Sequence, residues 1–237
     1  MTQSLNFLLQ GYRLVSKNLH LFAILIGLSL LSSHSNYIKY PGNELVSFLV
    51  MFLYTGYHFS IPYFLSLSKK NTEIDYREIL RITLVNTRRT IIPVLLLMFV
   101  FVVIVLGYII FSYSIQNETM DFLNYVNNVF NFKTRGVYTA IIYGCTSIFV
   151  FMSVFFSIER IGFIRSLFKS IGYSIKNIPF VLHIAILYSL SYLLSSFVYN
   201  SIPKSYNFLL QQIVIESFSM IATSAAYLYY VRFQKKV

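Results

Sequence analysis

The chain has no tryptophan, one cysteine and only 8 acidic residues among its 237. Each shortage closes off a class of protein. A single thiol, Cys145, cannot close a disulfide within the chain or build a thiolate metal site, so it leaves the redox compartment open. Charged residues make up 11% against 57% hydrophobic, and mean hydropathy is +0.66. A soluble globule of this composition would lack the polar surface to cover itself. Catalytic signatures are also missing: the sequence holds no H-E-x-x-H, no G-x-S-x-G, no G-x-x-x-x-G-K-[ST] and no pair of intramembrane aspartates. No enzyme activity, metal or other cofactor is therefore expected.

What is present is a series of charge-free runs. They extend over 18–38, 45–68, 90–117, 136–158, 177–203 and, interrupted only by Glu216, 205–231. A helix needs about 20 mostly apolar residues to cross a hydrocarbon core of ~30 Å. The pattern predicts an all-α, multi-pass membrane protein with six transmembrane helices in one integral membrane domain, 1–237. The first run is the weakest, because its apolar centre, 19–31, is short. A cleaved signal peptide, with Arg13 and Lys17 as its basic region, is the rival reading, although the run is not succeeded by an A-x-A site. Without tryptophan, an interfacial aromatic belt falls to tyrosine. "YLYY" at 227–230, Tyr37 and Tyr40 stand at run ends, where that belt would lie.

The basic residues alternate between heavily and lightly charged connections. Arg13 and Lys17 precede the first run, and Lys69, Lys70, Arg77, Arg81, Arg88 and Arg89 separate the second from the third. Arg160, Arg165, Lys169 and Lys176 separate the fourth from the fifth, and Arg232, Lys235 and Lys236 come after the sixth. Only Lys39, Lys133, Arg135 and Lys204 fall on the other side. By the positive-inside rule both termini are expected in the cytoplasm. The net charge of +11 then faces the anionic lipid headgroups, each basic residue near the surface contributing about 1 kcal/mol. No RNP, zinc-finger or helix-turn-helix pattern accompanies the charge, so nucleic acid is not an expected partner.

Three segments preceding odd-numbered runs share a pattern. Phe163, Ile164, Leu167, Phe168, Ile171 and Ile175 fall on one arc of a helical wheel, opposite Arg165, Lys169 and Lys176. Arg77, Arg81 and Arg88 have the same i, i+4, i+11 spacing, facing away from Tyr76, Ile79, Leu80 and Leu84. Asn6, Gln10, Arg13 and Lys17 form a polar stripe, with Leu5, Leu8, Leu9, Tyr12 and Val15 elsewhere. These stripes align at offsets of 71 and 88 residues. Each unit (1–68, 69–158, 159–237) then reads as an amphipathic cytoplasmic helix, a break at "KNL", "TIIP" or "KNIP", and a hairpin of two spans. Pro93 and Pro179 are expected near the starts of their spans, where a missing N–H costs least. Amphipathic helices of this kind lie in the interface or pack on the bundle. Arg77, Arg81, Arg88, Arg89, Arg165, Lys169 and Lys176 are the candidate headgroup contacts.

Glu216 is the one carboxylate inside a run, near its middle. An intramembrane acid faces the bundle or a wet cavity, and it is a functional candidate by default. Tyr54, 145–147 and Tyr188 come out at similar depth, and His58 and His183 at a common depth nearer the cytoplasm. Gln211 and Gln212 make the sixth span the most polar. The external connection 117–132 carries five asparagines and one sequon, Asn117-Glu118-Thr119. Glu159 is placed to cap a helix or pair with Arg165.

"ERIGFIRS" at 159–166, a Glu with Gly three residues on and a basic-Ser pair, then an amphipathic helix leading to "KNIP", carries a resemblance. On Glu159, Gly162, Arg165 and Ser166 the chain resembles a group of poorly characterised six-span bacterial inner-membrane proteins related to the membrane domain of glycerophosphodiester phosphodiesterases. The resemblance implies an inner-membrane location and no catalytic residues, since the soluble catalytic domain of those enzymes has no counterpart here. The expected function is non-enzymatic, with basic amphipathic helices meeting anionic lipids, a membrane-protein partner or a second copy. The alternative is a small transporter or channel using Glu216.

Overall fold

Backbone polar groups in a hydrocarbon core must bond within their own segment, which makes helices of the apolar runs. The computed structural model describes residues 2–34, 43–70, 75–116, 144–201 and 204–234. Among them are eight α-helices and no strand. They are α1 (Thr2–Lys17), α2 (Leu19–His34), α3 (Asn43–Lys69), α4 (Tyr76–Gln116), α5 (Met152–Ile158), α6 (Phe163–Lys176), α7 (Ile178–Ser201) and α8 (Lys204–Gln234), with a 3-10 turn at Thr146–Phe149 before α5. The segment 117–132 with its sequon, expected to be external, lies outside the described residues, as do Tyr37, Tyr40, Lys39, Lys133 and Arg135.

Four helices are long and apolar enough to cross a membrane: Leu45–Lys69, Tyr76–Gly107, Ile178–Val198 and Phe208–Gln234. A fifth span exists if α1 and α2, bent by 86°, count as one. The structure therefore carries four or five candidate spans against the six expected. The shortfall has two sources. At 1.5 Å per residue, the 16 residues of α2 rise only about 24 Å, less than the ~30 Å of a hydrocarbon core. The fourth run is described only from Gly144, and from there the chain forms the 3-10 turn and the seven residues of α5.

A second correction concerns the breaks. At "KNL" and "KNIP" the chain turns as expected, and both turns are built on asparagine. The Asn18 side chain donates to the Leu14 carbonyl (2.8 Å), and Asn177 does the same to Tyr173 (2.7 Å). Each backbone carbonyl then accepts the next helix's first amides, Leu21 and Phe22 at one corner, Phe180 and Val181 at the other. At "TIIP" there is no break. α4 runs 41 residues straight through Pro93, since a proline costs one internal hydrogen bond and this helix is held on its other side by neighbours.

Those neighbours approach closely because small residues line the crossings. A Cβ on Gly56 of α3 would lie 2.0 Å from the Thr87 hydroxyl and 2.7 Å from its amide on α4. A Cβ on Gly11 of α1 would lie 2.9 Å from the Ile221 carbonyl on α8. Between α3 and α4 the contact is polar as well: Asn86 donates to Ser60 (2.8 Å) and Ser60 to the Gly56 carbonyl (2.6 Å). α5 is buried on all sides, with Phe151 just before it and Phe155 and Phe156 within it fully inside.

The tyrosine run is the third correction. Tyr227 and Tyr230 are buried, and Phe7 of α1 packs edge-on against Tyr229. "YLYY" forms core beneath α1 rather than an interfacial belt.

Candidate functional site

The basic connections converge on one end of the bundle. There Arg89 of α4 reaches the carbonyls of Arg160 (3.0 Å) and Ile161 (2.9 Å), and Arg232 at the end of α8 lies over the Phe7 ring of α1. Three helical segments at this end expose apolar and basic faces side by side. α6 makes the point most clearly. It buries Phe163, Ser166, Ser170 and Ser174, while Ile164, Phe168 (67% exposed) and Ile175 lie outward. Ser170 and Ser174 both donate to the Ile148 carbonyl, at 3.0 and 2.8 Å. The serine face, with Phe163 and Leu167 from one edge of the apolar arc, holds α6 to the bundle, and the rest of the arc is left outward.

α1 has the same division at matching positions. Phe7, Gly11, Val15 and Asn18 are turned inward where α6 turns Ser166, Ser170, Ser174 and Asn177, while Leu5, Leu9 and Tyr12 are exposed beside Arg13 and Lys17. The start of α4 buries Ile79, Thr83, Asn86, Thr87 and Thr90 and exposes Tyr76, Leu80 and Leu84 beside Arg77, Arg81 and Arg88. Ile79, grouped by the sequence with Tyr76, Leu80 and Leu84 on the apolar arc, is the buried one of the four.

The seven candidate headgroup residues divide. Arg77, Arg81, Arg88, Arg165, Lys169 and Lys176 are exposed. Arg89 is half-buried and structural: besides the two carbonyls it donates to Asn86 (3.2 Å) and stacks 4.2 Å from the Phe156 ring centre. Lys169 bonds to Glu159 and lies over Phe155. Glu159 also accepts from Tyr230 (2.5 Å), so its partners are Lys169 and Tyr230, not the expected Arg165. The residue after it, Arg160, takes a left-handed φ of 56°. Nothing in the residue order marked this corner as a turn.

Inside the bundle, Glu216 is 2% exposed. Tyr54 of α3 donates to its Oε1 at 2.9 Å, and Ser29 of α2 and Tyr188 of α7 lie beside it. Ser29 itself donates to Gln212 (2.8 Å), one turn earlier on α8. The Oε2 atom is buried with no hydrogen-bond partner. The two histidines bond in different places: His58 meets Ser219 of α8 (3.0 Å), and His183 turns back to the Pro179 carbonyl on its own helix (2.6 Å). Among the described residues no group of three or more His, Cys, Asp or Glu is placed to hold a metal ion.

No protein-family profile, curated protein or solved structure matches this chain.

Proposed function

We propose that this is a non-enzymatic multi-pass protein of the bacterial inner membrane that engages anionic lipid through α1, the start of α4, and α6. The observation that carries the reading is the outward apolar face of α6. A helix that fixes itself to the bundle by serines leaves Ile164, Phe168 and Ile175 needing another cover. Basic side chains flanking that face suit acyl chains on one side and headgroup phosphates on the other. The gathering of cations at one end supports a cytoplasmic placement of that end and of both termini. The matched burial and matched asparagine corners of α1–α2 and α6–α7 support the finer architecture, six spans in three units, with the unbroken α4 as the variant unit. The resemblance of "ERIGFIRS" to six-span bacterial inner-membrane proteins is in keeping with this reading.

The chain lacks tryptophan, so a Phe168→Trp variant carries a single reporter. In vesicles, its fluorescence is expected to be quenched by lipids brominated high on the acyl chain, and its anionic-lipid preference to fall in Arg165→Gln/Lys176→Gln. An unquenched, water-like emission would sink the proposal. A reporter shielded from both lipid and water would instead assign the face to a protein partner or second copy.

The unpartnered Oε2 of Glu216 favours a second reading, in which the polar face of α8 handles a proton or cation. Flux in proteoliposomes that is abolished by Glu216→Gln is its test. Lipid engagement is the better supported function, because the outward apolar face of α6 and the basic residues beside it favour it directly.

A further inference from the structure

At the basic end, the crossing of α3 and α4 leaves a cavity of about 240 Å³ against the 159–162 corner. Three arginines line it, Arg81, Arg89 and Arg160, together with Asn86, Ser157 and Tyr63, and the lining includes no carboxylate. A second cavity of about 490 Å³ shares Tyr63 and Arg160 and adds Lys69, Lys70 and Ser66. Like charges are thus collected around a concave surface where each raises the electrostatic energy of the others; Arg160 lies near enough to act on Arg89 in this way. Glu78 approaches Arg81 from outside the lining, at 3.8 Å and with the Arg81 side chain largely in solvent, too weak a contact to neutralise it. Among the described residues no ion pair is formed by Arg160, Lys69 or Lys70.

One of the arginines is also held in place, while Arg81 and Arg160 are exposed at the rim. Arg89 is fixed by two carbonyls, Asn86 and the Phe156 ring. Arg160 has a left-handed backbone, a conformation disfavoured for a residue with a Cβ and kept at functional sites when its surroundings enforce it. Planar guanidinium groups match the paired oxygens of a tetrahedral oxyanion better than lysine ammonium groups do. We propose that this cavity is a phosphate-binding site, with the phosphate carried by a lipid headgroup entering from the leaflet or present as the free anion. The proposal deepens the lipid-engaging function and rests on it for the lipid source. It differs by requiring one saturable site on the α4 and 159–162 side, away from the outer face of α6.

The test uses the full chain in detergent, titrated with dioctanoyl phosphatidic acid, dioctanoyl phosphatidylcholine and inorganic phosphate. Saturable binding of one phosphatidic acid per chain is expected, with about tenfold or greater weakening in Arg160→Gly and Arg81→Gln and little change in Arg165→Gln/Lys176→Gln. The Arg160→Gly variant removes a charge while accepting the left-handed backbone, and Arg81 is exposed, so neither substitution threatens folding; thermal unfolding confirms this in each. Inorganic phosphate that binds as tightly, with the same dependence on Arg160 and Arg81, assigns the site to the free anion. Preference for phosphatidic acid with no competition from phosphate assigns it to lipid. Binding that does not saturate, or that is unchanged in folded Arg160→Gly and Arg81→Gln, overturns the site. The surface reading is judged separately by lipid preference in the α6 variant, which a failed site would leave intact.

Discussion

At the scale of single residues, missing side chains decide as much as those present. The contact of α3 with α4 depends on Gly56 having no Cβ, because the atom would meet both the hydroxyl and the amide of Thr87. Backbone cannot yield as a flexible side chain can, so Gly56→Ala must push the two helices apart and loosen the Asn86–Ser60 hydrogen bond. Overpacking of this kind costs about 1–3 kcal/mol. Gly172, on the outer side of α6, has nothing within 4 Å of its would-be Cβ, and Gly172→Ala is expected to stabilise by about 0.4–1 kcal/mol. Thermal unfolding of both variants in one detergent checks the pair, and equal shifts would contradict the close crossing. Glu216 was legible in the sequence as a lone acid in an apolar run. That Tyr54 is its donor was not legible, because depth along two spans does not say which way each helix is rotated.

At the scale of elements, the sequence shows where the chain bends only when the bend has a chemical cause within reach. "KNL" and "KNIP" contain the asparagine that accepts and donates at each corner, and there the helices break. "TIIP" contains only a proline, whose ring tolerates helix on both sides if neighbours support it, and there α4 continues. The wheel over 163–176 likewise separated apolar from basic residues correctly but gave no hint that the serines between them were the buried face. A stripe of small residues is silent by hydropathy and decisive for close approach. The corners themselves can be graded. Asn18→Ala removes one side-chain bond to a helix-terminal carbonyl, worth about 1 kcal/mol. Asn177→Ala removes the equivalent bond and also strands the Tyr229 hydroxyl, which donates to the Asn177 Oδ1 at 2.8 Å, so it should cost about 1–3 kcal/mol more. Chemical or thermal denaturation measures the difference, and a ranking in the opposite order would remove the second corner's special role.

At the scale of the whole molecule, one end of the bundle collects the connections between α3 and α4 and between α5 and α6, with α1 and the end of α8 beside them. Among the described residues, the heavily charged connections, readable from the sequence, therefore also lie together in space. Moving that many cations across a membrane during insertion is what the positive-inside rule resists. The contact of Arg232 with the Phe7 ring adds a constraint the charge census lacks: the first and last described helices share a side, whether α1 and α2 count as one bent span or as a surface helix leading into a short span. Orientation can then be read with single cysteines in a Cys145→Ser background. Cysteine in place of Ser16, Gly172 or Arg232, all exposed at this end, should react with an impermeant maleimide in inside-out vesicles and not in spheroplasts. Reaction of all three from the outside would invert the topology and place the basic faces opposite the cytoplasmic leaflet. A split among them would break the bundle itself, because α1, α6 and α8 pack around the Phe7, Phe151, Phe155, Tyr229 and Tyr230 rings and cannot be separated by a membrane while those contacts hold.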